Sequence, residues 1–169
     1  MPNAKVQELF DWLVDGAPGA PTPMAVLERL GPDLNAAGVP VHRMSAFVKT
    51  LHPSIVGRRF IWEIETGKTQ VGEAPWELIN AEVFKRSPFA RVFETGQVDR
   101  CVLHTLTLEN TPSDVLELKQ SGFTDIVFMP MRFMGGTVHA ISFATRANGG
   151  FTDAQLETIT FVVRPLSRV

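Results

Sequence analysis

The sequence predicts an α+β fold in three layers, a central and mainly antiparallel six-stranded sheet with helices on both faces. Two observations carry this. The elements run helix, helix, three strands, two helices, strand, helix, two strands, helix, without the strict strand–helix alternation of a parallel sheet. In addition, Ile126, Val127, Phe128 and Met129 are apolar in succession, as is much of Val138 to Ala144. A strand apolar on both sides belongs in a sheet covered on both sides.

The elements follow from local signals. Val6, Leu9, Phe10, Leu13 and Val14 recur at the spacing of an amphipathic helix, which Asp15-Gly16-Ala17-Pro18 ends. Thr22-Pro23 reads as an N-cap followed by proline at the first helical position. Leu27, Leu30 and Leu34 line that second helix, and Gly38 stops it. Strands are expected over Val41 to Leu51 and Arg59 to Glu65, where Phe60, Trp62 and Ile64 alternate with Arg59, Ile61 and Glu63. Thr66-Gly67-Lys68 turns the chain into a short partner strand near Thr69 to Val71. Pro75 to Arg86 reads as a helix with Trp76, Ile79 and Val83 on one side. Ser87-Pro88 repeats the cap-plus-proline signal, and Phe89, Val92 and Phe93 follow before Gly96. A strand over Asp99 to Thr105 and a short helix from Thr111-Pro112 to Gly122 come next. Strands Thr124 to Phe133 and Thr137 to Thr145 are joined at Met134-Gly135-Gly136. Thr152-Asp153-Ala154-Gln155 is a capping box, and Leu156, Ile159, Val163 and Leu166 form the stripe of the helix it opens.

The 169 residues fit one domain, with N-terminal helices over 5–37, a sheet core over 39–146 and a closing helix over 152–169. A net charge of −2 argues against nucleic acid as a partner. The one cysteine, Cys101, rules out an internal disulfide framework and fits a reducing compartment. Nothing approaches the roughly 18 apolar residues of a membrane span. Glu8, Asp11 and Asp15 interrupt the first apolar stretch, as they would not in a secretory signal. The expected location is cytoplasmic.

Phe128-Met129-Pro130-Met131-Arg132-Phe133, then Val138-His139-Ala140-Ile141-Ser142-Phe143 after a Gly135-Gly136 turn, then Gly150-Phe151-Thr152-Asp153-Ala154-Gln155-Leu156 form a recognisable series. Together these three segments resemble the GAF family. Ala140 stands where many members have glycine. The resemblance implies a GAF-like (PAS/profilin-like) fold and a regulatory domain that binds a small molecule between the sheet and the helices of 75–96. The match looks closer still to the N-terminal sensory region of bacterial class III adenylate or guanylate cyclases. Pro40-Val41-His42-Arg43-Met44-Ser45, Leu51-His52-Pro53, Phe84-Lys85-Arg86-Ser87-Pro88 and Arg164-Pro165-Leu166-Ser167-Arg168-Val169 suggest it. In such proteins a catalytic domain follows; none follows in this sequence, which ends inside a predicted helix. The implied output is through the first and last helices, which are expected to pack together and to form a homodimer. Trp12 and Phe161-Val162 lie off their main apolar stripes and read as surplus surface for a partner.

The aromatic residues, 12 Phe and 3 Trp with no Tyr, carry almost no hydroxyls. Trp62, Phe84, Phe89, Phe93, Met129 and Met131 are the candidate lining of an apolar ligand pocket, with His104 or His139 as its polar anchors. Core packing is the plainer role of each. Arg58-Arg59 and Lys85-Arg86 are candidates for contact with an anionic ligand, a solvated face being the plainer reading. The four histidines do not share a ligand spacing, so no metal is expected, and no cofactor. Gly67-Lys68-Thr69 lacks the glycine a phosphate loop needs five residues earlier, where Trp62 stands. Covalent bilin attachment usually places a histidine beside the cysteine, and Val102 follows Cys101 here. GAF-like methionine sulfoxide reductases need several cysteines. No catalytic constellation is present, so the chain is expected not to be an enzyme. The rival to a ligand sensor is a structural dimerisation module whose pocket its own side chains fill.

Overall fold

A computed structural model describes residues 3–50, 53–77, 81–106, 113–132 and 138–167, without the side chains of Val83, His104, Ser113 and Asp114. Expectations for Leu51-His52, Ile79, the Thr111-Pro112 cap, Phe133 and the Met134-Gly135-Gly136 turn lie outside the described residues, as do those for the side chains of Val83 and His104. The elements are α1 (Ala4–Val14), α2 (Pro23–Ala36), β1 (Arg43–Lys49), β2 (Ile55–Glu63), β3 (Thr69–Pro75), α3 (Glu82–Lys85), α4 (Pro88–Thr95), β4 (Asp99–Val102), a 3-10 turn (Leu103–Thr105), α5 (Ser113–Gln120), β5 (Asp125–Arg132), β6 (Val138–Thr145) and α6 (Asp153–Leu166).

The expected caps form. Thr22 Oγ1 accepts from the Ala25 N–H, and Ser87 Oγ from the Ala90 N–H, each at 3.2 Å. Thr152 and Gln155 close the capping box reciprocally at 3.1 and 2.9 Å. These bonds satisfy donors that a helix start otherwise leaves orphaned.

The strands form one sheet in the order β3-β2-β1-β6-β5-β4, with every neighbouring pair antiparallel. Because side chains alternate along a strand, the two faces collect different residues. Val127, Met129 and Met131 of β5, Ile141 and Phe143 of β6, Met44 and Ala46 of β1, and Phe60 and Trp62 of β2 join α1, α2 and α6 in one core. Ile126 and Phe128, Ala140 and Ala144, Phe47 and Val56 join α4 and α5 in the other. The three-layer α+β architecture is therefore as expected.

Some boundaries differ from the sequence reading. The helix expected over 75–86 is not continuous: Pro75 ends β3, Trp76-Glu77 are helical, Ala81 is extended at φ −72° and ψ 138°, and α3 spans four residues beyond it. A proline is tolerated there because β3 is an edge strand whose outward N–H groups need no partner. β2 begins at Ile55, across an irregularity at Ile55/Gly57. The strand expected over Asp99 to Thr105 stops at Val102 and tightens into the 3-10 turn. Trp12 and Val162 are buried within the chain, so they are not the surplus surface expected of them. Phe161 differs from them: it is half-buried, its ring stacked on Phe10 at 4.2 Å between α6 and α1, and it still borders an open cleft along α6 with Leu156 and Arg164.

The Gly150-Phe151 turn before α6 is clamped by a buried carboxylate that the sequence reading passed over. Asp125 of β5 is fully buried, accepts the Phe151 N–H at 2.9 Å and pairs with the Arg100 guanidinium at 2.7 Å. Arg100 also donates to the Phe151 carbonyl at 3.1 Å. This carboxylate raises the Arg100 pKa. Gly150 has φ +74°, and a Cβ there would stand 2.6 Å from Asp125 Oδ2, so the turn needs glycine on both counts.

Candidate functional site

Strand β6 sits at the middle of the sheet and turns Ala140, Ser142 and Ala144 toward α4 and α5. Ser45 lies opposite Ser142 on β1. Side chains this small leave the sheet surface low where the helices cross it. A cleft of about 110 Å³ results. Phe89 of α4, Val115 and Leu118 of α5 and Phe128 of β5 form its apolar walls. Arg43, Arg59 and Ser142 line its sheet side, and Glu117, an exposed residue of α5, completes the lining.

The polar part is built into the strands. Ser45 is fully buried and Ser142 nearly so. Arg59 Nε donates to Ser45 Oγ at 2.9 Å, and its guanidinium carbon lies 5.3 Å from the centre of the Phe89 ring. The Ser45 bond and the Phe89 face both help to hold this cation in place. Two guanidinium groups beside buried hydroxyls suit a small anion. The volume is well below the roughly 300–1,000 Å³ of a site for a drug-sized ligand.

The structure divides the sequence candidates between the two faces. Phe84, Phe89 and Phe93 lie together on the α4 side around Phe47, whose ring centre is 5.9, 6.1 and 5.3 Å from theirs. Trp62, Met129 and Met131 lie on the opposite side, in the terminal-helix core. Trp62 has no place beside Phe89: it is 1% exposed and its indole lies against Gly31 of α2, where a Cβ would come within 2.5 Å. Met131 instead borders an apolar cleft of about 210 Å³ with Phe60, Val26 and Leu166. Among the described residues these candidates therefore do not line a single apolar pocket. The aromatic rings of the α4 side fill one another's space, and the cleft beside them is lined by Arg43, Arg59 and Glu117 as well as by apolar side chains.

His139 pairs in register with Met131 near the start of β6. It is buried, and its Nδ1 accepts the Lys49 N–H at 2.8 Å. Burial, then the Lys49 ammonium, lower its pKa. It does not line the cleft beside Phe89. Of the basic candidates, Arg58, Lys85 and Arg86 are exposed and Arg59 alone faces the cleft. Alternation along β2 separates Arg58 from Arg59 and was readable. Arg43 had no such signal, because nothing in the sequence pairs it across strands with the others.

Among the described residues, no group of three His, Cys, Asp or Glu side chains could hold a metal ion. Nor is any helix among them long and apolar enough to cross a membrane.

No protein-family model matches the sequence, and no curated protein matches it. Solved structures do match in fold. The GAF domain of a phosphoenolpyruvate-protein phosphotransferase from Coxiella burnetii aligns with a TM-score of 0.61 at 12% identity, over 97% of this chain and 91% of that one. The GAF domain of a two-component sensor histidine kinase from Bacillus halodurans gives 0.53 at 10% identity, over 99% and 93%. The reduced form of fRMsr from Staphylococcus aureus gives 0.55 at 10% identity, over 96% and 93%. The chain therefore has a GAF-like α+β fold, and at these identities the likeness is one of fold.

Proposed function

We propose that this chain is a regulatory GAF-like domain that binds a small molecule in the cleft between the sheet and α4–α5. One observation carries the reading: two arginines and a buried serine converge on a recess beside Phe89 that the surrounding rings do not fill. A fold needs no such recess for its own stability. The histidine-kinase neighbour, a GAF domain of a sensor protein, supports a sensory role by analogy. The signal leaves through the terminal helices. Asp125 links β5, which carries Phe128 on the cleft side, to the turn that opens α6, and α6 stacks on α1 through Phe161 and Phe10. The receiving partner is a cyclase catalytic domain, by the sequence resemblance, in a homodimer along the outer faces of these helices.

Mass spectrometry of the natively purified, then denatured, protein tests the ligand. A stoichiometric small molecule is expected, or failing that a thermal-shift hit. Binding at about 100 times the dissociation constant adds roughly 2.7 kcal/mol. A hit unaffected by Phe89→Ala would place the site elsewhere.

The second reading, a structural dimerisation module, is favoured by the packing of Phe84, Phe89 and Phe93 around Phe47. It predicts no ligand, and a dimer that forms without one.

A further inference from the structure

We infer that the cleft takes a short-chain monocarboxylate. This rests on the proposed ligand-binding role and names the ligand's chemistry. The guanidinium of Arg59 is fixed by Ser45 and by the Phe89 face, so it meets a ligand already oriented. Arg43 stands on the same side of the cleft. A planar carboxylate matches the fork of a guanidinium, and the buried Ser142 hydroxyl supplies a further donor. Across from these groups the walls are Phe89, Val115, Leu118 and Phe128, which give an apolar tail somewhere to go. Inorganic phosphate has no such tail. Glu117 in the lining opposes a second negative charge, which disfavours dicarboxylates. A volume of about 110 Å³ limits the tail to a few carbons.

Calorimetric titration of the chain with butyrate, butyramide and inorganic phosphate tests this. Butyrate is expected to bind at least about tenfold more tightly than either other probe, the difference a charge-assisted hydrogen bond makes. Arg43→Gln should weaken butyrate by a similar factor while the chain still unfolds cooperatively in urea. Glu117→Gln, a change on an exposed side chain, should strengthen butyrate severalfold and so gives a readout that does not depend on altering the strands. Equal affinity for butyramide, or tighter binding of phosphate, would overturn the inference. So would failure of every one- to five-carbon monocarboxylate to bind. If neutral fragments then perturb the backbone amide resonances of Phe89 and Ser142, the ligand-binding role stands and only the carboxylate falls. If neither carboxylates nor neutral fragments reach those resonances, both fall.

Discussion

The two faces of the sheet are both buried, yet they are built differently. Under α1, α2 and α6 the strands present large apolar side chains, Trp62, Phe143, Met44 and Ile141 among them, and all four are almost wholly inaccessible. Under α4 and α5 the middle of the sheet presents Ala140, Ser142, Ala144 and Ser45, with Arg59 and Arg43 beside them. Burial of apolar area is what stabilises a domain. The first face therefore carries most of the stability, and the second gives up apolar contact where its cleft lies. The contrast separates residues that hold the fold from residues available to a ligand, although hydropathy alone would class both faces as core.

The largest effect that could break this comparison is at Trp62. Trp62→Ala should cost about 3–5 kcal/mol, the usual range for a buried large aromatic. Among the described residues its indole N–H has no hydrogen-bond partner, so the loss comes mainly from packing. Urea unfolding measures it, and a midpoint near wild type would mean that the terminal-helix face is not the main core. Asp125→Ala should cost about 3 kcal/mol, near the low end for a broken buried pair, because Arg100 keeps 34% of its side chain in solvent. The same change should loosen the start of α6, read as faster hydrogen exchange at Phe151 and the first turn. Loss of stability without that local change would remove Asp125 from the proposed signal route.

A much smaller effect sharpens the comparison from the other side. Among the described residues the Ser142 hydroxyl reaches the Ser45 carbonyl alone, at 3.5 Å, which is a marginal bond. Ser142→Ala should therefore shift stability by no more than about 1 kcal/mol in either direction. A cost of several kcal/mol would show that this hydroxyl is structural and not kept for a ligand.

How far the sequence was legible follows the same division. Helix starts were readable because their chemistry is local: Thr22-Pro23, Ser87-Pro88 and the Thr152–Gln155 box each satisfy orphan donors within one turn. Strand order was not readable in detail, and neither was the side of the sheet each residue faces. With Ile126 to Met129 apolar throughout, hydropathy has no period from which to assign Phe128 to one face and Met129 to the other; only pairing and packing decide it. Gathering Trp62 and Phe89 into one pocket was that error. The Asp125–Arg100 clamp was illegible for a related reason. Its partners lie 25 residues apart, and neither belongs to a motif.

The smallest prediction concerns His139, which lies across from Met131 in the sheet. Its Nδ1 accepts the Lys49 N–H at 2.8 Å, so that nitrogen must be unprotonated in the folded chain. Burial and the Lys49 ammonium hold its pKa below the ordinary histidine value. The unfolded chain therefore binds this proton more readily than the folded one, and stability rises with pH wherever it does so. The contribution is fully present above the ordinary value of about 6.5 and is lost progressively as pH falls from there toward the folded value. Lys49 cannot relieve this by turning away without also leaving the Phe93 ring, whose centre lies 4.3 Å from its Nζ. His139→Gln keeps an acceptor for the Lys49 N–H but does not titrate. Urea unfolding free energies, measured for both proteins from about pH 8 to about pH 5, should converge at the alkaline end apart from a constant offset. Below about pH 6.5 the wild type should fall more steeply. Parallel curves would mean that His139 is protonated as easily in the folded chain as in the unfolded one. The Lys49 bond would then have to open at no cost, and the start of β6 would be a looser place than the rest of the central sheet.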